Sequence, residues 1–247
     1  NKIDANRMFM AACIFGVLAI ACYIGCFKLS LERIEIPTKK VEKGAFLRSM
    51  KSLATNKPFI WVLTASLLAM LVQYLLTTVN IYLFKDYFGS TSALSMVGAI
   101  QMVAMFVCLP LVKPLVAKFG KKETALIGMS ITTIVYTVLF FLKDLSAMQF
   151  VGIVAVGTFS MYLYNFVTWA FITDVTDYHE YKTSVREDAT VYGIIAMARK
   201  VGLALAGGIG GVAIAAVGYD ATLETQAPEV LNGIYSLGTL VPAILYG

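Results

Sequence analysis

"FIWVLTASLLAMLVQYLLTTVNIYLF", Phe59 to Phe84, runs for 26 residues without a charged side chain. A helix needs about 20 consecutive apolar residues to cross a ~30 Å hydrocarbon slab, so this stretch is long enough. Its apolar residues do not alternate with polar ones as a barrel strand requires. With no water in the bilayer to satisfy the backbone, an α-helix is the remaining solution. Similar runs occupy Met8–Phe27, Ala93–Val112, Thr124–Leu142, Leu145–Thr173 and Val230–Tyr246, the last a little short. Another, Ala189–Tyr219, is broken by Arg199 and Lys200. The expectation is an all-α membrane protein, a polytopic bundle with seven transmembrane helices.

Composition agrees with this reading. Of 247 residues, 59% are apolar and 14% charged, and the mean hydropathy is +0.77. A globular domain carries about 25% charge. Taking Lys28–Lys57, Lys113–Lys122 and Lys182–Lys200 as one side collects sixteen Lys and Arg, against Lys2, Arg7, Lys85 and Lys143 on the other. The excess assigns the first side, with linker 30–57 and loop 174–188, to the cytoplasm of a multi-pass protein of the cell membrane. The net charge of +5 then follows from topology. No basic patch interleaves with aromatics, so no nucleic-acid partner is expected. Cys13, Cys22, Cys26 and Cys108 lie within spans without a C-x-x-C pattern, so they read as small apolar fillers, with no disulfide framework or zinc site.

The spans divide unequally. Helix 1–29 is followed by a linker, 30–57, and then by six helices at about 58–84, 92–113, 123–142, 145–173, 189–219 and 230–247. One helix left from a preceding half, then a complete half at 58–247, would give this spacing. The absence of a start methionine at Asn1 and the stop at Gly247 add to the expectation of a piece of a longer protein. In the linker, Phe46, Met50 and Leu53 recur at helical spacing, which fits an amphipathic helix on the inner leaflet or a solvated tether. Pro58 is expected to open the second span, and Pro110 and Pro114 to close the third, leaving Pro110–Glu123 as a tight basic turn.

Several polar residues stand inside the apolar runs. Lys200 is eleven residues beyond Ala189, roughly 16 Å along the axis at 1.5 Å per residue. A central lysine costs about 2.5–3.5 kcal/mol on insertion scales, so it belongs beside a cavity or a partner. The bland alternative is that Arg199 and Lys200 snorkel to the headgroups. All fifteen acids lie in loops or at span ends, so a counter-charge must come from elsewhere. Ala198, Gly202, Ala206 and Gly210 form a small-residue ladder on the same helix, and Gly207 and Gly211 a G-x-x-x-G. Gln73, Thr77 and Asn80 share a face beside Tyr74; Asn165, Thr168 and Trp169 share another near Tyr162. Amides, hydroxyls and an aromatic plane suit a sugar, and interhelical hydrogen bonding suits them equally. Gln101 has no such company. Asp174, Asp177 and Glu180 recur every third residue in the loop that follows, a pattern that could be drawn as a Mg²⁺ site of an intramembrane prenyl or glycosyl transferase. Salt bridges to Lys182 and Arg186 fit them better, and His179 reads as an ordinary surface histidine.

The stretch "DVTDYHEYKTSVREDATVYGIIAMARKVGLALAGGIGGVAIAAVGYD" (Asp174–Asp220) resembles the glycoside–pentoside–hexuronide cation symporters, a branch of the major facilitator superfamily. It matches D-x-x-[DE]-Y-x-E-x-x-T-x-x-R followed by a helix with a lysine and glycines. "NKPFIWVL" (Asn56–Leu63) and "KFGKK" (Lys118–Lys122) are similar to the family as well. The resemblance implies a major facilitator fold, with this chain as helices six to twelve of twelve. The implied activity is the C-terminal half of a symporter moving a glycoside, pentoside or hexuronide with Na⁺ or H⁺ by alternating access, with no other cofactor and no catalysis. Its implied partners are the sugar, membrane lipid and the N-terminal half, whose aspartates would meet Lys200 for cation coupling. Asn165, Thr168, Trp169, Arg199, Lys200, Gln73 and Tyr74 would line the substrate site. Asp174, Asp177, Glu180 and Arg186 would form a cytoplasmic gate. Where melibiose-transporting members carry Gln-Thr one turn before the lysine, this chain has Ile195–Ala196. Their helix-ten tryptophan falls at Asn165. The Arg199–Lys200 pair is closer to the glucuronide-transporting members, in which an extra cation suits a sugar carboxylate.

Overall fold

The computed structural model describes residues 5–30, 45–223 and 225–247. Among them there are only helices. α1 (Ala5–Leu29) belongs to one compact unit and everything from Gly44 onward to another. By itself, α1 is a 25-residue helix with apolar side chains exposed on all sides, as a lipid-facing or helix-facing span requires.

The second unit contains α2 (Ala45–Ala54), α3 (Lys57–Tyr82), α4 (Thr91–Phe119), α5 (Lys121–Phe141), α6 (Ala147–Thr183), α7 (Asp188–Ala216) and α8 (Pro228–Tyr246). One π-helical turn, Leu83–Tyr87, extends α3. α3 packs against α6, α7 and α8, α6 against α4 and α5, and α5 against α8. Val72, Leu75 and Val79 of α3 and Leu83 of the π turn lie at the centre, fully or almost fully buried, with Leu139, Phe150, Ile234 and Tyr235 around them. Tyr235 donates its hydroxyl to Leu139 O and Leu142 O at 2.7 and 2.5 Å. Leu139 O also accepts from Leu142 N at 3.2 Å, and both carbonyls lie at the end of α5, where intrahelical donors run out.

Among the described residues, six helices are long and apolar enough to cross a membrane: α1 from Met8, α3 with its π turn, and α4 to α7. The seventh expected span, α8, forms with 19 residues, but Glu229, Asn232, Ser236 and Thr239 make it more polar than the six, so it falls outside that set.

Helix ends depart from the sequence reading for identifiable reasons. Pro110 and Pro114 do not close α4; the helix continues through both to Phe119 and stops at Gly120, whose φ of 91° favours glycine. Proline is tolerated in membrane helices because neighbours re-satisfy the freed backbone groups. The expected turn at Pro110–Glu123 therefore shrinks to Gly120, which also precedes α5. α6 runs ten residues beyond Thr173, because charged residues leaving the membrane still continue a helix; Ser184, in the left-handed region at φ 56°, ends it. The expected loop 174–188 reduces to Ser184–Glu187. Asn56 caps α3 by accepting from Phe59 N at 3.3 Å, with Pro58 in the first turn.

Of the linker, residues 45–57 are described. α2 is helical, and Leu53, fully buried among Phe59, Ile172, Val175, Val191 and Ile195, docks it on the end of the bundle. The small-residue ladder on α7 is buried, and a Cβ on Gly202 would meet Leu67 O of α3 at 3.2 Å. A tighter contact lies between α5 and α6, where a Cβ on Gly128 would come within 2.7 Å of Ser160 O. Gly128→Val should lower stability by about 1–3 kcal/mol through overpacking, measured as a fall in the detergent-solubilised melting temperature. Gly98→Ala, where nothing lies within 4 Å of the new carbon, should leave it unchanged.

Candidate functional site

Two adjoining spaces open among α3, α4 and α6. The first is a cleft of about 280 Å³ lined by Gln73, Tyr74, Tyr162, Asn165, Trp169 and Arg199, with Met70, Met105 and Phe166 completing it. Helical spacing explains the grouping: Tyr162, Asn165, Phe166 and Trp169 fall at i, i+3, i+4 and i+7, one face of α6. Arg199 reaches in from α7 and stands 5.1 Å from the centre of the Trp169 ring. The other neighbour of that indole is Tyr192, nearly parallel at 14° and 6.4 Å away, whose hydroxyl lies 3.3 Å from Thr173 Oγ1. Guanidinium, indole and phenol therefore fix one another. Among the described residues, Arg199 has no acidic partner.

The second space, about 190 Å³, is lined by polar but uncharged groups: Gln73, Thr77, Asn80, Gln101, Thr132 and Thr158 among them. Gln73, Tyr162 and Asn165 border both spaces. Asn165 Nδ2 donates to Met161 O at 3.2 Å, and Thr132 Oγ1 to Gly128 O at 2.8 Å. The side-chain amides of Gln73, Asn80 and Gln101 make no hydrogen bond to other described residues. Gln101, solitary on its own helix, finds its companions on α3 and α6.

Two expected members stand elsewhere. Thr168 lies 60° around α6 from Asn165, is buried, and donates its hydroxyl to Tyr164 O at 2.9 Å. It lines a separate, largely apolar cleft with Trp61, Val62, Ala65, Tyr164 and Phe171. Lys200 does not line the cleft of Arg199 either. It is twelve residues beyond Asp188, about 18 Å along a 29-residue helix, and so near its middle. Its side chain projects from the face opposite the ladder that packs on α3, and it is exposed. Gly193, Gly207 and Gly211 occupy the same outward face, with nothing within 4 Å of an added Cβ. No described acid pairs with Lys200.

At the charged end of the bundle, Asp174, Asp177 and Glu180 lie on the last turns of α6. Lys121 Nζ is 2.6 Å from Asp174 Oδ1, tying the start of α5 to α6. Arg186 Nη1 bonds Asp177 at 3.0 Å and Glu180 at 2.7 Å, and its Nε bonds Asp188 at 2.7 Å. Asp188, then Glu180 and Asp177, hold the guanidinium above its ordinary value, so it stays charged. Of the three acids drawn above as a Mg²⁺ pattern, Asp177 and Glu180 meet Arg186, and Asp174 meets Lys121.

His179 is not a surface residue. It is 2% exposed, and its Nε2 is 3.6 Å from Glu187 Oε2. Glu187 Oε1 accepts a short hydrogen bond from Ser49 Oγ of α2. Sequence patterns could not reveal this link, because Ser49 lies 130 residues upstream of His179. Glu187→Ala would remove the acceptor of Ser49 Oγ and the acid beside His179, a loss of about 1–3 kcal/mol. Trypsin cleavage after Lys51 in α2 is expected to accelerate by roughly tenfold; an unchanged rate would mean Leu53 alone holds the helix.

A helical membrane bundle that keeps amides and an arginine unsatisfied around cavities among its spans has the architecture of a solute carrier. The chain belongs to the MFS/sugar transport protein family, whose model matches residues 1–246. It is similar to an uncharacterized symporter of Bacillus subtilis (26% identical; 94% of this chain, 50% of the relative). It is also similar to a glucuronide carrier protein homolog of Escherichia coli (28%; 92% and 50%). The isoprimeverose transporter of Lactiplantibacillus pentosus is 28% identical, over 99% of this chain and 50% of the relative. These relatives bear out the glycoside–pentoside–hexuronide resemblance, and they are transporters rather than enzymes. The chain spans about half the length of the curated relatives it matches.

Proposed function

We propose that this chain works as the C-terminal half of a symporter that moves an acidic glycoside or hexuronide together with Na⁺ or H⁺. The observation that carries the reading is Arg199, fixed over Trp169 in a cleft of amides and phenols with no acid among the described residues to neutralise it. A guanidinium at membrane depth needs an anion, and its planar fork matches a carboxylate through two parallel hydrogen bonds. Trp169, Tyr74 and Tyr162 offer aromatic surface to the apolar face of a sugar ring, and Gln73 and Asn165 bond its hydroxyls. A relative named for glucuronide transport supports the acidic choice.

The outward face of α7, with Lys200 among small residues, is where an N-terminal half would pack closely. A carboxylate from that half would answer the charge of Lys200, and cation occupancy would then be felt at the neighbouring Arg199. Alternating access would rock the halves around this midplane site. Asp174, Asp177, Glu180 and Arg186 would gate the cytoplasmic side. Each pair is exposed, so water and salt screen it and it is weak enough to break in every cycle.

Counterflow in vesicles holding the assembled carrier, this chain with its N-terminal half, tests the reading. Labelled acidic glycosides should exchange, faster with Na⁺ or at lower pH, and their neutral counterparts should exchange poorly. Faster exchange of neutral sugars would overturn the acidic assignment.

A further inference from the structure

α6 and α7 touch each other little, and α7 leans mainly on α3. At the charged end of the bundle the seam between them is filled by a third element. Leu53 of α2, fully buried, shares one apolar cluster with Ile172 and Val175 of α6 and with Val191 and Ile195 of α7. This cluster stands apart from the main core. One turn before Leu53, Ser49 Oγ donates to Glu187 Oε1 in the short turn that joins α6 to α7. Glu187 Oε2 is buried without a hydrogen bond to the described residues and lies beside His179 of α6. α2 therefore engages both helices and the turn between them. The same turn carries Arg186, whose bonds to Asp177 and Glu180 of α6 and to Asp188 of α7 cross the seam.

The hold on α2 is small. One leucine and one hydrogen bond to a carboxylate fasten a ten-residue helix whose other described side chains are exposed or half-buried. A satellite cluster of this size opens as a unit at a lower free energy than the core beneath it. We propose that α2 is a releasable strap: docked, it clamps α6 to α7 and braces the turn of Arg186, and the cytoplasmic gate opens only when α2 lifts from the seam. The proposal rests on the gate described above and adds Ser49, Leu53 and Glu187 as positioning residues that touch neither sugar nor cation.

Two measurements on the assembled carrier test it, and the first needs no substrate. Ser184 N–H donates to Glu180 O and Val191 N–H to Glu187 O, one on each side of the turn. Ser49→Ala should speed hydrogen exchange at both amides about tenfold, and Ser49→Thr, which keeps the hydroxyl, should leave them within about twofold. For the second, Ser49→Cys and Glu187→Cys are joined by a short thiol-cleavable bis-methanethiosulfonate in a carrier whose other cysteines are serine. The link should slow counterflow about tenfold or more while glycoside binding stays within about twofold, and a reductant should restore the rate. Faster trypsin cleavage after Lys51 in Ser49→Ala, with both amides unchanged, would mean that α2 docks without bracing the turn. Undiminished counterflow in the linked carrier would mean that the gate opens beneath a docked α2. Either result overturns the proposal and leaves the transport reading standing. If the unaltered carrier moves no glycoside, the transport reading fails and the gate with it, and the amide rates still decide whether α2 clamps the seam.

Discussion

Arg199→Gln in the assembled carrier is expected to weaken half-saturation by an acidic glycoside about tenfold to a hundredfold, while a neutral glycoside changes by no more than about threefold. Charge-assisted hydrogen bonds are worth ~1.5–3 kcal/mol each, and glutamine keeps a polar group but loses both charge and fork. The stack explains why the loss should be specific. Arg199 is steered by Trp169, and Trp169 in turn by Tyr192, so the guanidinium waits in place with little rotamer freedom left to lose on binding. Arg199→Lys should recover only part of the affinity, since an ammonium neither forks nor lies flat on an indole. Concentration dependence of counterflow, acidic against neutral, measures the ratio. Equal losses for both sugars would mean that Arg199 serves only to hold Trp169.

Lys200→Ala should abolish accumulation against a gradient and spare exchange. Lys200 stands on the face of α7 turned away from the cleft, so its removal does not take a bond from the sugar. It takes away the charge through which a bound cation would bias the two states, and coupling requires such differential binding. For a monoanionic substrate carried with one monovalent cation, the charges cancel and membrane voltage drops out. A tenfold cation gradient, ~1.4 kcal/mol, then sustains about tenfold accumulation. The variant should fall to a ratio of about one while counterflow persists within about threefold. Retained accumulation would remove Lys200 from coupling.

The bundle was legible because the bilayer leaves so few choices. A run such as Phe59–Phe84 has no way to satisfy its backbone except as a helix. Helix ends were less so, because they rest on local chemistry that hydropathy does not register: the positive φ of Gly120 and Ser184 outweighed Pro110, Pro114 and the charge at Asp174. The cleft could be read from polar residues at helical spacing on single helices, Gln73 with Tyr74 and Asn165 with Trp169. Spacing misplaced Thr168, since a threonine hydroxyl in a helix can bond its own backbone and turn from the cavity. Gln101 and His179 were illegible for a shared reason: their neighbours lie on other helices, so no pattern within one segment marks them.

Arg186 and Glu187 are adjacent in the chain and pull in opposite directions, one outward to Asp177 and Glu180, the other inward to His179 and Ser49. A gene divided into two separately expressed halves should therefore be cut upstream of Ala45. A cut just after Ala54 would strand Leu53 on the wrong product and leave its socket, Phe59, Ile172 and Val191, open to aggregation.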